Sequence, residues 1–284
     1  MTASPKATRL IVHADDFGLS EAVNHGIIAA HKNGILTSAS VMATAEAFEH
    51  AVRLAEANPS LDVGVHLTLT EQQPLTGAAS VPSLVDEAGH FAPHARHFAS
   101  KYLRGQISLA EVRAELDAQI RRARDHGLRV THLDGHQHVH VLPKIAAVVN
   151  ELAKVHGIRA VRYPSERIRA YMWKNLRGAR RLGEQLALNF TCALSPLRLL
   201  RRTDDFAGFY FGGGLNEANL LTVLHGLPAG KTTELMCHPG VDDPRSPYGS
   251  WEYSWAAELE ALVSQRIRSV LDARGVQLIS WRDV

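Results

Sequence analysis

Cysteine is nearly absent from this 284-residue chain, which has only Cys192 and Cys237. Two cysteines are too few for a secreted disulfide scaffold and fit a reducing compartment, so a cytoplasmic location is expected. Long apolar runs are also missing. The least polar long stretch, Gln185 to Leu197, is 13 residues without a charge and is interrupted by Pro196. A spanning helix needs roughly 20. The amino-terminal MTASPKATRLIV has no continuous apolar core behind a basic start, so no export signal is expected. No internal repeat or low-complexity tract is seen, and net charge is only +2.

The 45% hydrophobic and 21% charged content is that of a soluble globular chain with a sizeable core. Alpha/beta barrels run to this length as one unit, so residues 1–284 are expected to form a single domain. Short β-branched runs alternate with segments of helical period, the pattern of a parallel sheet. Seven strands are predicted: Arg9 to Ala14, Thr37 to Met42, Asp62 to Leu67, Val130 to Leu133, Arg159 to Tyr163, Thr233 to Met236 and Val276 to Ser280. Helices are predicted over Glu21 to Asn33, Glu46 to Ala57, Leu109 to His126, Pro143 to His156, Leu215 to His225 and Glu252 to Ala273. Two stretches break the rhythm, 70–106 and 166–214. Both leave the carboxyl end of a strand, where α/β barrels carry their functional loops.

Several of the 16 histidines fall at strand ends rather than on helical faces. The first strand ends in His13-Ala14-Asp15-Asp16-Phe17-Gly18, and adjacent carboxylates repel unless a cation or a shared proton relieves them. An Asx-turn in an exposed loop is the plainer reading of this pair. His66 interrupts the apolar run GVHLTLT, where a hydrogen-bonded core histidine is the plainer reading. The run THLDGHQHVH at 131–140 holds four histidines in nine residues, and an extended chain would set His136, His138 and His140 on one side. His238 closes the sixth strand in MCHPG, with a hydrogen-bonded turn histidine as its plainer reading. Asp or His at four strand ends of seven points to one catalytic face at the strand carboxyl ends. Carboxylate plus imidazole, without a cysteine set, suits one catalytic divalent ion, Mg²⁺ or Zn²⁺.

These motifs, ADDFGLS at 14–20, NGILTSAS at 33–40, GVHLTLT at 64–70, THLDGHQHVH at 131–140 and MCHPG at 236–240, resemble the YdjC-like carbohydrate deacetylases over nearly the whole chain. That family includes chitooligosaccharide deacetylases (ChbG type) and hopanoid-associated enzymes (HpnK type). The resemblance implies an α/β fold, an irregular TIM-like (β/α) barrel of about seven parallel strands. It also implies a metal-dependent hydrolase that removes an N-acetyl group from an N-acetylglucosamine-type sugar. By the same resemblance Asp16, His66 and His136 are the metal ligands, and Asp15 is the general base for the water at the metal. His238 is the acid that protonates the departing amine. Arg162, in the run Val161-Arg162-Tyr163-Pro164, is read as orienting Asp15 or the substrate, with an ordinary ion pair as the alternative. His138 and His140 shape the pocket, with His140 ranked below His66 as a ligand although it lies four residues after His136.

Residues 159–202 carry 11 Lys and Arg against 2 Asp and Glu, a net +9 that leaves −7 for the rest. Tyr171, Met172, Trp173 and Leu176 are mixed there with Lys174, Arg177, Arg180 and Arg181. Such a mixture suits peripheral contact with anionic lipid at the inner face of a membrane, and would favour a glycolipid substrate over a free chitooligosaccharide. A solvated basic helix is the alternative. No nucleic-acid module accompanies the charge, so nucleic acid is not an expected partner. The oligomeric state is left open, a homodimer included. The rival readings are another metal-dependent amidohydrolase or phosphoesterase, and a non-catalytic sugar- or lipid-binding barrel.

Overall fold

The computed structural model describes residues 6–173 and 178–284, so Lys174, Leu176 and Arg177 of the basic segment lie outside the described residues. Strands β1 (Arg9–Phe17), β2 (Ser38–Val41), β3 (Asp62–Leu67), β4 (His132–Gly135), β5 (Ala160–Val161), β6 (Asp205–Ala207) and β7 (Thr232–Cys237) form a parallel sheet in the order β5-β4-β3-β2-β1-β7-β6. A short β8 (Gln277–Leu278) pairs with Arg9 and Leu10 at the start of β1. Between β5 and β6 the described residues make only the isolated pairings Ala160 with Arg201 and Glu166 with Phe206. The result is an irregular α/β TIM-like barrel of seven parallel strands.

The helices are α1 (Glu21–Asn33), α2 (Phe48–Glu56), α3 (Ala95–Leu103), α4 (Leu109–Asp125), α5 (Pro143–Val155), α6 (Gly178–Leu194), α7 (Glu217–His225), α8 (Trp255–Val263) and α9 (Gln265–Ala273). Serines cap two of these helices: Ser20 Oγ accepts from Val23 N–H at 3.2 Å, and Ser108 Oγ from Glu111 N–H at 3.4 Å. Strands β2 and β3 are buried throughout, as sheets covered by helices on their outer side require. Phe17, Phe48, Phe98 and Ile27 are fully buried in the main core.

Three differences from the sequence expectation have local causes. The helix expected over Glu252 to Ala273 is two, because the chain turns extended at Ser264 and the Leu262 carbonyl accepts from Ile35 N–H instead of continuing the helix. The stretch 166–214, expected as a loop, contains the 17-residue α6 and the strand β6. The stretch 70–106 contains α3, which buries only Phe98 and so shows a weak apolar period.

Candidate metal centre and active site

The carboxyl end of β1 is irregular. Its register with β2 shifts between Ala14 and Phe17, and Asp16 has a left-handed φ of 64°. In a regular strand adjacent side chains point to opposite faces. Here the break brings both Asp15 and Asp16 within reach of His66. Gly18, at φ 100°, then turns the chain into α1, a conformation that glycine tolerates. Asn24 Oδ1 accepts from its N–H and pins that turn.

Asp16, His66 and His136 come together, all three buried, with one ligand atom of each within 4.8 Å of the others. His66 Nε2 lies 3.4 Å and His136 Nδ1 3.1 Å from the same oxygen, Asp16 Oδ1. That oxygen makes no hydrogen bond of proper geometry among the described residues. The second nitrogen of each ring is already engaged with a carboxylate. His66 Nδ1 meets Asp134 Oδ1 at 2.9 Å, and His136 Nε2 meets Glu71 Oε2 at 2.7 Å. Neutral rings donating to those carboxylates would aim their remaining lone pairs at Asp16 Oδ1, so a proton or a cation must lie between. Burial opposes charge on His66, but Asp134 and Asp15 outweigh it and push its pKa up to about 10. Burial likewise opposes charge on His136, but Asp16 and Glu71 push its pKa up to about 9. A divalent cation satisfies the same three atoms without those protons, so the donor set fits one.

Asp15 is held by Arg162, which donates to Oδ1 at 2.6 Å and to Oδ2 at 2.7 Å. The same fully buried guanidinium donates through Nε to Glu234 at 2.8 Å and lies 3.1 Å from Asp134 Oδ2. Burial alone would raise the Asp15 pKa; the Arg162 charge, seconded by His66, reverses this and keeps it below the usual carboxylate range.

The histidine run after β4 does not stay extended. The chain coils into a tight turn over His136–Val141, with Gln137 and His138 at φ 50° and 57°. His136, His138 and His140 therefore diverge, and only His136 joins Asp16. His138 packs against the rings of Phe206 and Phe209, and burial, seconded by Arg162, lowers its pKa well below the usual value. His140 is 1% exposed, with Nε2 at 3.2 Å from the Arg162 carbonyl. His238 sits after β7, its backbone N–H bonded to the buried Glu258 and its ring 4.7 Å from that of Tyr253.

Three groups at this site escaped sequence reasoning. Asp134 stands inside the quoted motif THLDGHQHVH, and parallel pairing of β3 with β4 places it in register with His66. Glu71 reaches back to His136 from a left-handed position, φ 64°, which nothing in the sequence announces. Beyond β7, Trp251 lies 5.3 Å from the His136 ring and Tyr248 5.0 Å from Trp251. With Tyr253 they make an aromatic wall, visible in the sequence as YGSWEYSW at 248–255.

Residues 9–273 match the model of a family described as YdjC-like protein. A carbohydrate deacetylase of Geobacillus stearothermophilus is 36% identical over 279 residues, which cover 96% of each chain. A second, of Clostridium beijerinckii, is 33% identical over 97% of this chain and 100% of its own. Among solved structures, an Enterococcus faecalis V583 protein named for cellobiose-phosphate cleavage superposes with a TM-score of 0.74 at 29% identity, covering 98% of this chain and 99% of that one. With a family match over nearly its full length and relatives above 30% identity along the whole barrel, the chain belongs to the YdjC-like family.

Proposed function

We propose that this chain is a hydrolase that removes the N-acetyl group of an N-acetylglucosamine-type sugar with the aid of one divalent cation, Mg²⁺ or Zn²⁺. The observation that carries this reading is the convergence of His66 Nε2 and His136 Nδ1 on the unpaired Asp16 Oδ1 beside a clamped second carboxylate, Asp15. Asp16, His66 and His136 would hold the cation. The chemistry a cation supplies there is polarisation of the amide carbonyl and a lowered water pKa. Asp15, ionised and oriented by Arg162, takes a proton from the attacking water. His238 hands a proton to the departing nitrogen, and acetate and a free amine result. His138 shapes the pocket wall, and His140 supports it from behind through the Arg162 carbonyl.

Two relatives carry the name carbohydrate deacetylase, which supports the choice of an acetylated sugar. The Enterococcus protein is named for cleavage of a cellobiose phosphate, so a hydrolase of phosphorylated sugars, a phosphoesterase included, is the second reading. A free chitooligosaccharide and a lipid-linked, hopanoid-type N-acetylglucosamine are the two substrate variants, and the outward face of α6 favours the second. The proposed location is the cytoplasm, with peripheral membrane contact through 159–202. Acetate and phosphate release from a panel of N-acetylated and phosphorylated sugars, read alongside bound-metal content, tests the reading. Metal-dependent acetate release is expected. Phosphate without acetate would replace it by the second reading, and neither product would leave a sugar- or lipid-binding barrel.

A further inference from the structure

Helix α6 is apolar on two sides. Its inward side carries Leu182, Leu188 and Cys192, with Gln185 and Asn189 among them. Asn189 accepts from Glu166 N–H at 3.1 Å and from Gln185 Nε2 at 2.9 Å, and donates to the Glu166 carbonyl at 2.8 Å. Its outward side from residue 183 onward is Gly183, Leu186, Ala187, Phe190, Ala193 and Leu194, without a charge. Leu186, Phe190 and Leu194, spaced one turn apart, are 51%, 68% and 58% exposed. An amphipathic helix on a barrel normally turns its apolar stripe to the sheet. Here the inward side is already anchored by Leu182, Leu188, Cys192 and the hydrogen bonds of Asn189, and a second apolar stripe is left facing outward.

The flanking segments continue the pattern. Trp173, before the helix, is 70% exposed, and Leu199, after it, 80%. Arg180, which also pairs with Glu184 at 3.2 Å, and Arg198, Arg201 and Arg202 are exposed in the same stretch of chain. These exposed arginines would repel their copies across a two-fold contact. The same charge complements a negatively charged leaflet. We propose that the outward face of α6 docks on an anionic lipid surface, with Leu186, Phe190 and Leu194 entering the interfacial region and the arginines meeting headgroup phosphates. The surface stands independently of the deacetylase chemistry and would bring a lipid-linked sugar to the barrel mouth.

Co-sedimentation of the full chain with phosphatidylcholine vesicles, with and without phosphatidylglycerol, tests it. Wild type is expected to bind the anionic vesicles at least about tenfold more tightly than the neutral ones, and less tightly at high salt. The double variant Leu186→Glu/Phe190→Glu, changed only at exposed positions, is expected to lose at least about tenfold in that binding. Its release of acetate from a soluble N-acetylated chitooligosaccharide should be unchanged. Equal vesicle binding by wild type and variant would overturn the proposal. So would a lipid-free wild-type dimer that the variant converts to monomer, since a second copy would then own the face. Vesicle binding without acetate release from any sugar would support the surface and reject the deacetylase reading alone.

Discussion

Asp134 Oδ1 accepts from His66 Nδ1 at 2.9 Å across the β3–β4 pair, which fixes the ring with Nε2 toward Asp16. Carboxylates behind ligating histidines set tautomer and orientation, and losing one costs about 10- to 100-fold in metal affinity. Asp134→Asn is therefore expected to weaken metal binding by that order, read by titration calorimetry on protein stripped of metal. An affinity within about twofold of wild type would show that His66 needs no such partner.

Asp15 and Arg162 separate catalysis from stability. Asp15→Asn keeps the side chain's shape and one of the two acceptors for Arg162 but removes the base, so turnover should fall by about 10²- to 10⁴-fold with metal affinity retained. Arg162→Met strips the cation from among three buried carboxylates, Asp15, Asp134 and Glu234. Breaking a buried pair costs roughly 3–5 kcal/mol, so this variant should show the larger drop in denaturant midpoint. A fully active Asp15→Asn enzyme would reject the base assignment.

Metal removal should leave a folded but weaker protein, because Asp16 Oδ1 then faces two imidazoles in a buried site. A ligand that binds only the native state at about 100 times its Kd adds about 2.7 kcal/mol. Chelation should lower the melting temperature of wild type and leave Asp16→Asn, whose asparagine tolerates the left-handed backbone, unmoved. Equal chelator effects on both proteins would place the cation elsewhere.

The aromatic wall predicts a split between binding and chemistry. Trp251 stands beside His136 without touching Asp15, so it can stack on a sugar ring but cannot move its proton. Trp251→Ala should raise KM roughly tenfold, the worth of about 1.4 kcal/mol of aromatic contact, and change kcat much less. A loss confined to kcat would show that the indole acts on the metal ligands instead.

How much of this was legible in the sequence follows from which residues carry local signals. Strand ends announce themselves: Asp15, Asp16, His66, His136 and His238 each interrupt or terminate an apolar run, and all lie at the carboxyl ends of their strands or just beyond. Asp134 was inside a quoted motif, but its role depends on the register of β3 against β4, which is a long-range fact. Glu71 depends on a left-handed backbone in an irregular stretch. The histidines misled in part, since alternation assumed an extended chain where Gln137 and His138 turn left-handed. Strand β6, three residues long, and α6, apolar on two sides with Gln185 and Asn189 turned inward, both defy the periodicity rules that located the other elements.

Glu166 gives the last test, because it ties the start of the α6 insertion to β6. It is fully buried, accepts from Tyr210 N–H at 3.1 Å and Gly208 N–H at 3.4 Å, and pairs with Arg169 at 3.4 Å. Burial dominates these contacts and raises its pKa from the ordinary 4.5 to about 7. A carboxyl whose folded pKa is raised binds more protons in the folded than in the unfolded state between those two values. Its contribution is thus fully present below about pH 4.5 and declines as the pH rises through about 7, by roughly 3 kcal/mol in all. Glu166→Gln cannot ionise and keeps an acceptor for one of the two backbone N–H groups, which meet different carboxylate oxygens. Denaturant melts at pH 5 and pH 8 should show a smaller loss of stability with rising pH in the variant than in wild type. Parallel pH profiles would mean that Glu166 ionises freely, with water reaching it through the insertion.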